Sequence, residues 1–157
     1  RAATCDCSLN GFSHNGRFLA LRSFIDGLRF RVFDLELGTE IEVADGCEQH
    51  FTTFADIFGP WVGASSLAVL ADCGDGMHLL IRDVMPGGGE VRVPLPGSVI
   101  SGAEVDVAHF DRPETAWFTL CSFDAHTCWI GQGNRPLVEI PNVNEASFVP
   151  LGFRYGG

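Results

Sequence analysis

The sequence predicts an all-β fold of short antiparallel strands in repeated four-stranded units, about three of them plus the start of a fourth. Self-similarity comes first. Segments 16–43, 65–93 and 115–140 each read apolar run, turn, apolar run, turn, apolar run, with central turns at Asp26-Gly27, Asp75-Gly76 and Asp124-Ala125, 49 residues apart. A fixed period of about 20–50 residues marks array architectures. The second observation is alternation: Leu28-Arg29-Phe30-Arg31-Val32-Phe33 has period two, the pattern of a half-buried strand. The third is the lack of a helical signal. No useful stretch places apolar residues at i, i+3, i+4 and i+7 between caps, and 19 Gly and 8 Pro punctuate the chain.

The elements follow in order. The first unit has an opening element ending Leu9 to Phe12, then strands at Phe18–Leu21, Leu28–Phe33 and Ile41–Val43, the last two joined by the turn Glu36 to Thr39. The second unit opens at Phe54–Phe58 and continues at Leu67–Leu70, Met77–Val84 and Val91–Val93, with a turn at Pro86 to Gly89. The third opens at Val105–Phe110, then Trp117–Leu120, Cys128–Ile130 and Leu137–Ile140, with a turn at Asn134 to Pro136. Asp-Gly between apolar runs is a strong hairpin signal because both turn positions favour φ > 0. Four short antiparallel strands per fifty residues is the organisation of a propeller blade. The units fall roughly at 5–45, 50–95 and 103–141, with a partial fourth at 145–157, in a single repeat domain.

A resemblance supports this fold. The stretch Phe12-Ser13-His14-Asn15-Gly16-Arg17-Phe18-Leu19-Ala20-Leu21 is similar to the blade signature FSPDGRxLAF. Phe30-Arg31-Val32-Phe33-Asp34-Leu35-Glu36-Leu37-Gly38-Thr39 is similar to the IxVxDLxTG that follows it. Both resemble blades of the Tol-system periplasmic protein, of related WD-like propellers and of the propellers attached to prolyl-oligopeptidase-type enzymes. The second unit keeps Asp83 and Gly87 but has residues 60–65 in place of the SPDGR element. The third keeps Phe110-Asp111 and the strand pattern. The resemblance covers roughly residues 12–140 and implies fold rather than activity, since propellers host unrelated functions. Phe12, Phe58, Phe110 and Phe153 mark equivalent positions, so residues 146–157 read as the start of another unit. Three blades do not close a ring, since closed propellers have about four to eight. The chain is therefore expected to belong to a larger protein or an assembly, with segments 4–12 and 146–153 in the same blade position; its start at Arg1 fits processing or excision.

Composition narrows the function classes. The formal charge is −10, and no basic stripe offers a nucleic-acid surface. Anionic membrane surfaces are disfavoured for the same reason, and no apolar run reaches the roughly 18 residues of a membrane span. The acidity reads as a solubility device, with a cation or a basic partner as the alternative. The six cysteines have no CxxC spacing, so zinc-finger and c-type haem sites are unsupported. An even count suits disulfides in an extracytoplasmic compartment (periplasmic, secreted or cell-surface), with buried thiols as the competing reading. Cys121 and Cys128 flank the Asp124-Ala125 turn, and a two-residue loop places them opposite each other at disulfide distance. One of Cys5 and Cys7 is expected to reach Cys47, with the connectivity left open.

No catalytic, metal or cofactor site is assigned. The five histidines are scattered and GxSxG is absent. Asp72 to His78 is read as a hairpin turn rather than a metal loop, because it lacks the EF-hand order of ligands. Trp117 and Trp129 lie inside strand runs and are assigned to the core, whereas Trp61, in a loop after Pro60, is the candidate exposed anchor. The expected function is a non-catalytic protein-interaction or scaffold module whose partners are other chains or further blades. The alternatives are a carbohydrate-binding β-trefoil, which three repeats of fifty residues also suit, and the propeller portion of a larger hydrolase.

Overall fold

The computed structural model describes residues 7–23, 29–50, 53–54, 61–97, 104–107, 112–122 and 126–142. They form an all-β protein. Strands β1 (Cys7–Phe12), β2 (Phe18–Ser23), β3 (Arg29–Asp34) and β4 (Thr39–Ile41) make a first sheet, in that order. Strands β5 (Glu48–His50), β7 (Ser66–Asp72), β8 (Met77–Asp83) and β9 (Glu90–Pro94) make a second. The third has five strands in the order β13 (Val138–Pro141), β12 (Thr127–Gln132), β11 (Trp117–Ser122), β10 (Glu104–Val107) and β6 (Thr53–Phe54). Neighbours pair antiparallel throughout, except that β6 runs parallel to β10. A 3₁₀ turn, Pro113–Thr115, precedes β11.

Hairpin closure follows the expected axes with longer loops. Asp72 pairs with Met77, so the Asp75-Gly76 turn is a four-residue loop carrying Gly74 at φ +86° and Gly76 at φ +130°. Glycine is the residue that enters this left-handed region without steric cost. The turns at Asp26-Gly27 and Asp124-Ala125 lie outside the described residues, but Ser23 pairs with Arg29 and Ser122 with Thr127 across them.

Two expected strands are corrected. The second sheet opens with Glu48–His50 rather than with Phe54–Phe58. Of that stretch only Phe54 is described, and it pairs with the third sheet; residues 55–60 lie outside the described residues. In the first sheet, β4 stops at Ile41 and Val43 turns into the core instead of continuing the strand. Gln49 supplies the physical reason. Its side chain accepts a hydrogen bond from the Phe30 amide at 2.7 Å and donates to the Phe30 carbonyl at 3.2 Å. A side-chain amide thus takes both hydrogen-bonding groups of Phe30, tying β5 of the second sheet to β3 of the first.

The three sheets stack in sequence order. From the second sheet, Leu67, Val69, Ala71 and Leu80 pack against Phe18, Ala20, Phe30 and Val32 of the first. Ala68, Leu70, Leu79, Ile81, Val91 and Val93 pack against Phe118, Leu120 and Trp129 of the third. Successive strand residues face opposite sides of a sheet. A sheet covered on both faces therefore needs a continuous apolar run, and every residue from Ser66 to Ala71 is buried. In the first sheet β3, Arg29–Asp34, alternates between a covered and a less covered face.

One backbone hydrogen bond recurs in each sheet, just beyond the pair formed by its second and third main strands. The Leu35 amide donates to the Arg17 carbonyl at 3.0 Å, that of Val84 to Ser65 at 3.0 Å, and that of Gly133 to Ala116 at 2.9 Å. In the third sheet this residue is a glycine at φ +52°, and a Cβ there would lie 2.1 Å from the Glu114 carbonyl oxygen. Gly133→Ala is expected to lower stability by about 1–3 kcal/mol through left-handed strain and overpacking. Urea denaturation checks this; an unchanged midpoint rejects the close approach.

Candidate interaction surface

Asp34 organises the motif that links the third and fourth strands of the first sheet. It lies opposite Phe18 in the register, and its side chain is buried. Arg17 donates to it through Nε at 3.2 Å and Nη2 at 2.7 Å, and the Glu36 and Leu37 amides donate to Oδ1 at 2.9 and 3.1 Å. On the preceding loop, the Phe18 amide donates to the Ser13 hydroxyl, which itself donates to the Asn15 side chain. The second sheet has the same device with other residues. Asp83 Oδ1 accepts from the Ser65 hydroxyl at 2.7 Å and from the Met85 amide at 3.0 Å. In the third sheet Gln132 holds the corresponding register position, opposite Trp117. Asp34 and Asp83 thus both accept hydrogen bonds from the amides of the turn that follows them.

The Arg17 guanidinium and the turn amides hold the Asp34 carboxyl below its usual range, against the opposing effect of burial. A depressed folded-state pKa contributes stability that is present above the unfolded value of about 4 and is lost as pH falls through the folded value. Asp34→Asn should thus be less stable than the parent at pH 7, with the difference shrinking toward pH 3. Denaturant titration at both pH values measures it; a difference independent of pH defeats the assignment. Arg31 likewise lowers the Glu40 pKa, but this pair is solvent-exposed and contributes little.

The outer face of the first sheet carries paired apolar residues. Phe12 faces Leu19, Leu19 faces Phe33, and Leu21 faces Arg31. Phe12 is 55% exposed, while Leu19, Leu21 and Phe33 are partly covered. The Arg31 guanidinium lies 5.2 Å from the Phe33 ring centroid and binds Glu40 through two hydrogen bonds. The outer face of the third sheet carries Trp117, Thr119, Ile130, Val138 and Ile140, with Trp117 52% and Val138 64% exposed. Exposed apolar side chains clustered on one sheet face mark a docking surface more strongly than isolated ones do.

The tryptophan assignments change. Trp61, expected as an exposed anchor, is 3% exposed. Its indole Nε1 donates to the Gly11 carbonyl at 3.1 Å, and its ring lies 6.3 Å from that of Phe18, so it fills the joint between the first two sheets. Trp129 is buried as expected, but Trp117 is not a core residue. The cause is the pleat. Phe118 points inward over Gly131, where a Cβ would come within 2.2 Å of the Phe118 ring, and so its neighbour Trp117 points outward. The polar Thr119 two residues on carries the signal, since it shares a face with Trp117.

Cys121 and Cys128 are directly opposite across β11 and β12 and are disulfide-bonded, with Cα atoms 4.1 Å apart. Cys47 does not bond Cys5 or Cys7; it bonds Cys73, at a Cα distance of 4.2 Å. The pairing of β5 with β7 dictates this, because Glu48 lies opposite Asp72 and the two cysteines come next in line. The Asp72 to His78 loop is a turn in which Asp72 accepts from the Gly74 amide and His78 Nδ1 bonds the Gly76 carbonyl. Among the described residues, no group of three or more His, Cys, Asp or Glu side chains is placed to hold a metal. Family models, curated proteins and solved structures give no match to this chain. The surface itself therefore carries the functional reading. An open cleft of about 420 Å³ between the first and second sheets, lined by Arg29, Arg31, Glu40, Glu48 and Gln49 among others, mixes both charge signs. No helix among the described residues is long and apolar enough to cross a membrane.

Proposed function

We propose that this chain is a non-catalytic interaction or scaffold module built of propeller-type blades, and that its partners are other protein chains or further blades docked on its outer sheet faces. The observation that carries this reading is the open stack. The second sheet is covered on both faces, while the outer faces of the first and third leave Phe12, Trp117, Val138 and Ile140 to solvent. Sheets of this kind bury apolar faces against their neighbours, and an uncovered terminal face calls for a capping surface. The blade reading draws on the hydrogen bond that recurs from sheet to sheet and on the matched turn carboxylates Asp34 and Asp83. The resemblance of residues 12–39 to Tol-system and WD-like blades supports the same reading. A trefoil would pair strands of different repeats around one barrel; here, apart from β6, each sheet is drawn from one continuous stretch of chain. The disulfides Cys47–Cys73 and Cys121–Cys128 favour an oxidising, extracytoplasmic setting.

Photo-crosslinking tests the surface, since the sequence contains no lysine for amine reagents. A photoreactive amino acid replaces Trp117 or Phe33, and a control copy carries it at Asp75 in the β7–β8 loop. Protein adducts formed in the native source at the two faces and not at Asp75 are expected. Adducts confined to the control, or none from either face, reject the reading.

A further inference from the structure

Among the described residues two disulfides sit in opposite environments: Cys121–Cys128 bridges directly opposed residues of β11 and β12, and Cys47–Cys73 lies just beyond the Glu48–Asp72 pair of β5 and β7. Cys121 and Cys128 are 1% and 6% exposed. Cys47 and Cys73 are only partly covered, at the rim of the joint between the first and second sheets. Thiol–disulfide exchange needs a thiolate to reach a sulfur, so access separates the two bonds.

The Cys47–Cys73 bond also opposes a local strain of charge. Next to it, Glu48 and Asp72 are paired across β5 and β7, and like charges directly opposite are destabilising. Strand β5 has only three residues and lies at the sheet edge, paired with β7 alone. Arg92 steadies the approach to this corner by donating to the Asp45 carbonyl at 3.3 Å and to Cys47 Sγ at 3.6 Å, while its own Nε is held by Glu90 at 2.5 Å. Past the disulfide, β5 carries Gln49, whose amide holds both backbone groups of Phe30 in the first sheet.

We propose that Cys47–Cys73 is a redox latch on the joint between the first and second sheets, opened by a dithiol in preference to Cys121–Cys128. The exchange balances. One thiolate of the dithiol attacks a sulfur of the bond and forms a mixed disulfide, releasing the other cysteine as a thiolate that takes up a proton. The second thiol then displaces the remaining cysteine. Two electrons pass to Cys47 and Cys73, which end as thiols, and the dithiol ends as a cyclic disulfide. Freed of its tether, β5 is left with one short pairing beside two facing carboxylates. Gln49 leaves Phe30, and the cleft lined by Arg29, Arg31, Glu40 and Glu48 widens on that side. Regulation of the joint by thiols is independent of which partner the outer faces bind.

The test treats the folded, oxidised protein with dithiothreitol, quenches by alkylation at intervals and reads modified cysteines by peptide mass. Cys47 and Cys73 are expected to label at least about tenfold faster than Cys121 and Cys128. Amide exchange on the partly reduced protein reads the consequence. Protection at Phe30 should fall about tenfold more than at Leu80 in the middle of the stack, the scale of one hydrogen bond. Gln49→Ala in the oxidised protein should reproduce the Phe30 loss without reduction. Equal or reversed labelling of the two disulfides overturns the latch, as does parallel loss of protection at Phe30 and Leu80.

Discussion

Leu79→Ala and Leu80→Ala should each destabilise the protein by about 2–5 kcal/mol, although the two residues are neighbours on one strand. On an ordinary surface strand one of them would face water, and its truncation would cost little. Here Leu79 packs toward Phe118, Leu120 and Trp129, and Leu80 toward Phe18, Phe30 and Val32; both are fully buried. Each truncation opens a cavity at a different sheet interface, and the lost transfer and dispersion terms add to it. Because the residues touch separate clusters, their effects should approach additivity in the double variant, apart from coupling through their shared backbone. Denaturant midpoints with unchanged m-values provide the measurement. A small effect for either residue would mean that one face of the second sheet is not covered, and the three-layer stack would fail.

That arrangement was partly legible in the residues. The alternation in Leu28 to Phe33 gives a strand with one inner face, and the structure puts Phe30 and Val32 there. The run from Ser66 to Ala71 has no alternation, which is the signature of a strand buried on both sides. Asp34 and Asp83, the last residues of β3 and β8, stood in the sequence only as matched positions of the blade resemblance; that they accept turn amides is seen in the structure. What was not legible depended on long-range register. The partner of Cys47 follows from the pairing of a three-residue edge strand, Glu48–His50, which has too little pattern to be read from the chain. Trp61 looked exposed because it follows a proline in a loop, yet a carbonyl fifty residues away, at Gly11, satisfies its indole and lets it be buried. Of the segments expected to share a blade position, residues 7–12 form β1, the edge strand of the first sheet, whereas residues 4–6 and 146–153 lie outside the described residues.

Phe118→Ala is expected to cost about 3–5 kcal/mol, the range for removing a buried aromatic ring. Phe118 is among the largest fully buried side chains, and it belongs to the cluster that joins the third sheet to the second. Its site is shaped from both sides of the hairpin. Gly131 lies opposite it in the register, and a methyl group there would fall within 2.2 Å of the ring. The absent Gly131 side chain and the present ring are thus complementary, so the pair should be strongly non-additive. Gly131→Ala alone should destabilise by about 1–3 kcal/mol, because the ring must leave its position. In the Phe118→Ala background the same substitution should cost less, because the added methyl enters the space the ring has vacated. Full additivity of the two changes in a double-mutant cycle would show that ring and glycine do not meet. The same contact decides the surface. With Phe118 locked inward, the pleat holds Trp117 outward beside Thr119, Ile130 and Val138, so the packing of the core residue fixes the geometry of the face proposed for docking.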